Sequence, residues 1–560
     1  MMTDSARTPT PVDTIAEQWV DDIAGLFPTV ATYIGRTQYN DRFGDYSPAG
    51  TEEAVRRVRA TRDALQTAEP VDAVDEVTKA DLSRELGLHL ELVEARAQLR
   101  DLNVIASPVQ DIRSVFDLMP TATADDWDVI ATRLSALPGA IEGYIQTLRN
   151  GIGAGVVPAR RQVREVITQI ARYTADDGFF AHFVSDAAPA EGQLPASLAR
   201  RLADNANGAR VAYDKLAAFL GADLAPVAAE QDAVGRELYS LHSRQFLGAA
   251  VDLDETYEWG LEELARMVAE QESVAREIKA GASVAEAIAF LETDPAHQLH
   301  GTAELQRWMQ RTADQAVADL GATHFDIPEP VRRIECMIAP TQEGGIYYTG
   351  PTDDFSRPGR MWWSVPEGVE TFDTWRELTT VYHEGVPGHH LQIAQAVYNR
   401  GELNSWRRLL AGTSGHAEGW ALYAERLMEQ LGYLQDPADR LGMLDGQRMR
   451  AARVVLDIGV HLGKPRPDGQ GVWDAGYALE FMRGNVNMSD EFIRFEVNRY
   501  LGWPGQAPSY KVGQRIWEQL RDDFRAAQGD AFDIKAFHKR ALDLGGVGLD
   551  TLRAALLPGA

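Results

Sequence analysis

Val381-Tyr-His-Glu-Gly-Val-Pro-Gly-His-His-Leu-Gln392 is the stretch on which the reading of this sequence turns. An H-E-x-x-H arrangement on a helix sets two histidines one turn apart, so both can grip one metal ion while the intervening glutamate sits beside a reactive water. Here the second histidine comes late: His389 lies six residues after His383, and His390 seven. On an unbroken helix His383 and His390 would stand roughly 10 Å apart along the axis. One ion cannot bridge that, because imidazole nitrogens bind zinc at about 2.0–2.1 Å. The segment binds metal only if the helix bends, and Pro387-Gly388 supplies a break, since proline removes a donor and glycine tolerates unusual dihedrals. His389, which follows the glycine, is the expected second ligand. His390 is the alternative ligand, or a second-layer or substrate contact.

Working outward, Thr374-x-x-Glu377 can form a capping box, and Trp375, Leu378 and Tyr382 share one apolar stripe, which predicts a rigid helix carrying His383 and the candidate general base Glu384. The third ligand is sought in Gly415-His-Ala-Glu-Gly-Trp-Ala-Leu-Tyr-Ala-Glu425. Trp420, Ala424 and Leu427 form a core-facing stripe there. Glu418 and Glu425 share another face about two turns apart. Glu418 is the expected ligand and Glu425 the residue that orients a ligand histidine, with His416 as a rival.

The first three hundred residues read as amphipathic helices punctuated by Pro and Gly, for example over 51–66, 73–102 and 252–279, after a polar start over residues 1–12. From 331 to 366 short apolar and aromatic runs (331–339, 345–349, 360–365) predict a small antiparallel sheet, and helical periodicity returns from Phe372. The fold expected is mainly α, with a deep cleft between two helical halves, residues 1–245 and 246–560, the alternative being one continuous domain.

The chain has 560 residues, with 55 Lys and Arg against 83 Asp and Glu, a formal charge of −28. Such a surface repels phosphate backbones and anionic membranes, so neither nucleic acid nor a membrane is an expected partner. The single cysteine, Cys336, excludes an internal disulfide and a Cys-rich metal site, leaving histidine and carboxylate ligands. With no basic start and apolar run over residues 1–18, and no apolar stretch of roughly 18 residues, the expected location is the cytoplasm. Oligomeric state is not legible.

In combination these residues resemble the bacterial family known as domain of unknown function 885, itself similar to glutamate-zincin peptidases such as the oligopeptidase and angiotensin-converting-enzyme groups. The likeness covers Phe27-Pro-Thr-Val-Ala-Thr, Ser356-Arg-Pro-Gly359, His383–Gln392, Glu418–Glu425, Arg453–His461 and Gly505-Gln-Ala-Pro-Ser-Tyr-Lys-Val-Gly513. It implies a zincin-like fold holding one zinc at His383, His389 and Glu418, with Glu384 activating water. The expected activity is cleavage of short peptides, of oligopeptidase, dipeptidase or carboxypeptidase type. A zinc hydrolase of another amide or ester shares every one of these residues, and a non-catalytic peptide- or metal-binding protein is a third reading, against which an intact Glu384 argues. Tyr510, in a turn before a helix, is the candidate oxyanion donor. Arg453, Asp457 and His461 stack at i, i+4 and i+8, where a salt-bridge ladder is the bland account and a supporting role, with His461 at the cleft, the preferred one. Arg357 is a candidate for bidentate binding of a peptide carboxylate. A His2Glu set also accepts cobalt or manganese.

Overall fold

A computed structural model describes residues 7–190, 192–339 and 345–557. Helices dominate, as the periodicity predicts: Pro48–Thr67, Ala73–Glu94 and Leu253–Ile278 stand where amphipathic runs were read. The second ends earlier than its pattern, because Arg96 takes a left-handed φ of 59° and a short 3-10 turn covers Ala97–Arg100. Of the polar start, residues 1–6 lie outside the described residues; from Arg7 onward it is anchored, with Thr10 and Asp13 closing a capping box on the Pro11–Leu26 helix.

Apolar stripes assemble several cores. Trp127, Ile130, Leu134, Ile141, Ile145 and Leu148 recur at helical spacing on Ala124–Ala154 and pack against Leu202, Tyr213 and Leu216 of Ala196–Phe219. A larger core runs from Tyr239 to Leu557, and its axis is the Pro437–Leu462 helix, buried without a break from Ala451 to His461. Trp406 and Ala411 join a further core with Val12, Leu65, Leu82 and Leu86, so the N-terminal helices share an interior with the far half of the chain.

Strands form where β-branched and aromatic residues gather. β1 (Gln298–His300) pairs antiparallel with β5 (Thr371–Asp373). β2 (Ile334–Ile338), β3 (Ile346–Thr349) and β4 (Gly359–Trp363) make the small sheet expected near 331–366, with β4 in the centre. Pairing is antiparallel between β3 and β4 but parallel between β2 and β4, so the all-antiparallel expectation is corrected at one edge. Parallel pairing is possible there because the chain leaves β2, makes β3, and returns through the 350–358 turn before laying β4 beside β2. Ile334, Cys336, Met361 and Trp363 bury one face against Leu305, Met309 and Val381. The sheet thereby fixes the back of the helix that carries His383.

Candidate metal centre

His383 and Glu384 close the Thr374–Glu384 helix, and His389 opens the next, His389–Tyr398. The N-cap of the first is Asp373, not Thr374; the Thr374 hydroxyl instead donates to the His297 carbonyl at 3.1 Å, which corrects the expected capping box. Trp375 and Tyr382 are buried as their stripe predicts.

Between the two helices the chain breaks over 385–388. The Gly388 N–H donates to the Tyr382 carbonyl at 3.0 Å and the His390 N–H to the Gly385 carbonyl at 3.1 Å, so the backbone folds back on itself. A Cβ at Gly388 would collide with the His383 carbonyl oxygen, which is why only glycine fits. The Trp420 indole N–H clamps the outside of the bend, donating to the carbonyls of Pro387 at 2.9 Å and Gly388 at 3.2 Å.

The bend draws the two imidazoles together, with ring centroids 4.8 Å apart and planes at 87°. His383, Glu384 and His389 offer ligand atoms that all lie within 4.8 Å of one another. From the facing Ser414–Gln430 helix, Glu418 Oε2 comes to 3.3 Å from His383 Nε2 and 3.6 Å from His389 Nε2. Two turns on, Glu425 Oε1 accepts from His383 Nδ1–H at 2.8 Å, while its other oxygen accepts from the Thr379 hydroxyl at 3.0 Å and the Gln447 amide at 3.2 Å. The two glutamates thus bracket opposite nitrogens of one imidazole.

These residues fit a metal ion. With Nδ1–H given to Glu425, the tautomer of His383 presents the lone pair of Nε2 to Glu418. Glu418 Oε2 is itself shut off from solvent without a hydrogen-bond partner. Lone pairs converge there, and only a positive charge reconciles them. Donors about 2.0–2.1 Å from a tetrahedral ion stand roughly 3.3 Å from each other, close to the spacings seen. Electrostatics says the same. Burial opposes a charge on His383, yet Glu418 and Glu425 push its pKa up to about 10; burial would raise Glu418, yet the two histidines hold it well below the usual carboxylate range. Burial lifts Glu384 above an ordinary glutamate, with His389 and His383 pulling the other way.

Other expected residues stand elsewhere. His390 donates from Nε2 to the Val331 carbonyl at 2.7 Å and accepts at Nδ1 from the Tyr348 hydroxyl at 2.9 Å, so both ring nitrogens are committed to bolting the bend to β3 and to the 3-10 turn Glu329–Arg332 ahead of β2. It is no metal ligand here. His416 is buried against Trp517, its Nδ1 3.4 Å from the Gln392 amide, and does not reach the cluster. Arg357 spends its guanidinium on the carbonyls of Gly350 at 2.9 Å and Pro358 at 3.2 Å, bracing the turn between β3 and β4 rather than offering a free fork. Arg453, Asp457 and His461 form no surface ladder. Arg453 holds Glu496 at 2.7 Å and the Tyr500 hydroxyl at 2.6 Å, Asp457 accepts from Tyr239 and from the Gly505 N–H at 2.8 Å each, and His461 donates to the Tyr500 carbonyl at 3.0 Å. His461 is 1% exposed and stacks on Tyr239, away from the metal cluster. Tyr510, at the start of Ser509–Gln528, lies under the Arg453 guanidinium at 5.1 Å, and its phenol, raised by burial, feels the Glu418 carboxylate. Sequence reasoning missed Thr379 and Gln447 as holders of Glu425, and Arg450, whose charge acts on Glu384, Glu425 and Tyr510. A signal existed: Gln447, Arg450 and Arg453 follow one another at i+3 along one side of the Pro437–Leu462 helix.

Two solved structures share the fold over nearly their whole length. A provisionally assigned lipoprotein from Colwellia psychrerythraea is 21% identical, with a TM-score of 0.84 over 97% of this chain and 98% of its own. A second, of unknown function, from Shewanella oneidensis is 16% identical, with a TM-score of 0.73 over 98% and 99%. A carboxypeptidase from Pyrococcus furiosus aligns at 13% identity, with a TM-score of 0.39 over 98% and 96%. Among curated proteins none matches the chain. The expected cytoplasmic location is overturned by the two structures that share the fold, both of them provisionally assigned lipoproteins. Cys336 is buried in the sheet with its thiol pushed up to about 12, so its unpaired state carries no information about compartment. Among the described residues no helix is long and apolar enough to cross a membrane. The profile of one family, bacterial proteins of unknown function (DUF885), matches residues 28–556, and the chain belongs to that family.

Proposed function

We propose that this protein is a zinc-dependent hydrolase that cleaves short peptides, with His383, His389 and Glu418 as metal ligands and Glu384 as general base. The observation that carries the reading is Glu418 Oε2, buried without a hydrogen-bond partner and set 3.3 Å and 3.6 Å from two imidazole nitrogens. When bound, zinc would supply Lewis acidity toward a substrate carbonyl and make water easier to deprotonate. Glu384, buried and raised above an ordinary carboxylate, is suited to take that proton and pass it to the departing amine. Glu425 keeps the His383 ring oriented through Nδ1–H. Tyr510 is the candidate donor to the oxyanion that develops on the carbonyl.

The test pairs elemental analysis of purified protein with digestion of a peptide library, with and without chelator. One equivalent of zinc and chelator-sensitive cleavage are expected. Glu384→Gln should abolish turnover while zinc stays bound; undiminished cleavage by that variant would remove Glu384 from its role. No metal in wild-type protein after zinc loading would end the hydrolase reading.

A further inference from the structure

The Pro437–Leu462 helix runs beside Thr374–Glu384 in the same direction. Gly442 packs so closely on the Trp375 carbonyl that a Cβ would collide with it, Asp445 lies 3.5 Å from the Arg376 guanidinium, and Gln447 reaches Glu425, which holds Thr379 and His383. Both helices rise about 1.5 Å per residue, so one further turn brings Arg450 level with Glu384. Its charge is felt there: Arg450 favours the ionised forms of Glu384 and Glu425 and acts on the Tyr510 phenol.

What sets Arg450 apart is that it is uncommitted. Its neighbour Arg453 is spent on Glu496 and Tyr500, and Arg357 on two backbone carbonyls. Arg450 makes no hydrogen bond or ion pair among the described residues, and its Nε is shut off from solvent without a partner. The side chain is half-buried, with its head folded over Gly446, where a Cβ would meet it. An Nε–H that loses water and gains no partner is costly, and the planar guanidinium fork matches a carboxylate through two parallel hydrogen bonds.

We propose that Arg450 receives the terminal carboxylate of the peptide, so that the bond brought to Glu384 is the last or near-last of the chain and the activity removes C-terminal residues. This rests on the peptidase reading of the metal centre. It also moves the carboxylate anchor from Arg357, where the sequence suggested it, to a cation beside the base. A purely structural Arg450, steadying Glu425 by its charge alone, would affect every substrate alike.

Two measurements decide. First, zinc-loaded wild type is given an N-acylated tripeptide as the free acid and as its C-terminal amide. The acid should be favoured in kcat/KM on the order of 100-fold. Arg450→Ala should collapse the acid-to-amide ratio to about one, the acid falling far more than the amide, with Arg450→Lys recovering part of the ratio. Equal cleavage of acid and amide by wild type, or an equal fall on both substrates in the variant, would overturn the inference. Second, calorimetry in the Glu384→Gln background reads binding without turnover. The free acid should bind tighter than the amide, and Arg450→Ala should erase the difference; binding that is blind to the carboxylate counts against the anchor. Should binding discriminate while wild type cleaves nothing, the anchor stands and the peptidase reading fails. Cleavage of both peptides at similar rates leaves the peptidase reading intact and removes the anchor.

Discussion

Single atoms decide the chemistry of this centre. His383 is pinned by Glu425 at one nitrogen and faces Glu418 with the other, so the ring cannot turn without losing a buried charge-assisted bond. Glu425→Gln keeps an acceptor but removes the charge that makes the imidazole a better ligand. Zinc affinity should fall about 10–100-fold, read by competition against a chromophoric chelator, with little change in folding. Asp457 tests burial in a different way. An unfolded aspartate titrates near about 3.9, whereas burial lifts Asp457 to about 7. The folded chain holds a proton the unfolded chain has lost, so the stability from this group is full below about pH 4 and lost as pH rises through the folded value. Asn at 457 would keep an acceptor for Tyr239 and Gly505 and cannot titrate. The stability of wild type relative to Asp457→Asn should therefore drop by up to about 1.4 kcal/mol per pH unit between roughly pH 4 and 7, measured by urea unfolding across that range.

At the level of elements, the bend over 385–388 converts a spacing that no straight helix could use into a pair of facing rings. Gly388→Ala must displace the His383 carbonyl, and it should cost about 2–3 kcal/mol and release the metal, seen together as a lower urea midpoint and loss of bound zinc. Pro387-Gly388 made this break legible in advance, because proline and glycine act on the backbone locally and need no knowledge of partners. The choice between His389 and His390 was harder. It depended on Tyr348 from β3 and on the Val331 carbonyl from the turn ahead of β2, and no local pattern announces those. The capping residue was misplaced for a related reason, since Thr374 found a better acceptor across the β1–β5 pair in His297. Glu418 and Glu425 could be read as one helix face from periodicity alone, and the structure puts both on the same imidazole. His461, Asp457 and Arg453 shared a face just as plainly, yet that face looks into the core, and periodicity does not say what lies opposite. Strand sense in the small sheet was likewise hidden, because the return path of 350–358 is a matter of tertiary geometry.

For the whole molecule, the helices that carry the proposed ligands come from residues 374–430 but are held by the length of the chain. The Pro437–Leu462 helix runs through the main core, and the N-terminal helices close over Trp406 just ahead of the Ser414–Gln430 helix. A ligand bound at the junction of such elements stabilises all of them together. Zinc at about one hundred times its Kd should add about 2.7 kcal/mol, raising the thermal midpoint of wild type by several degrees, with no rise in His389→Ala. A calorimetric scan with zinc against one with chelator checks this. Composition spoke at this scale only to class, mainly helical and acidic.

The break between the two histidines also bears on how such centres are found. A search that counts four positions from one imidazole to the next would pass over this chain, although its two ring centroids sit 4.8 Å apart. Centres of this kind are better sought by the separation of donor nitrogens in space, allowing a glycine-gated detour between them, than by tallying letters along a string.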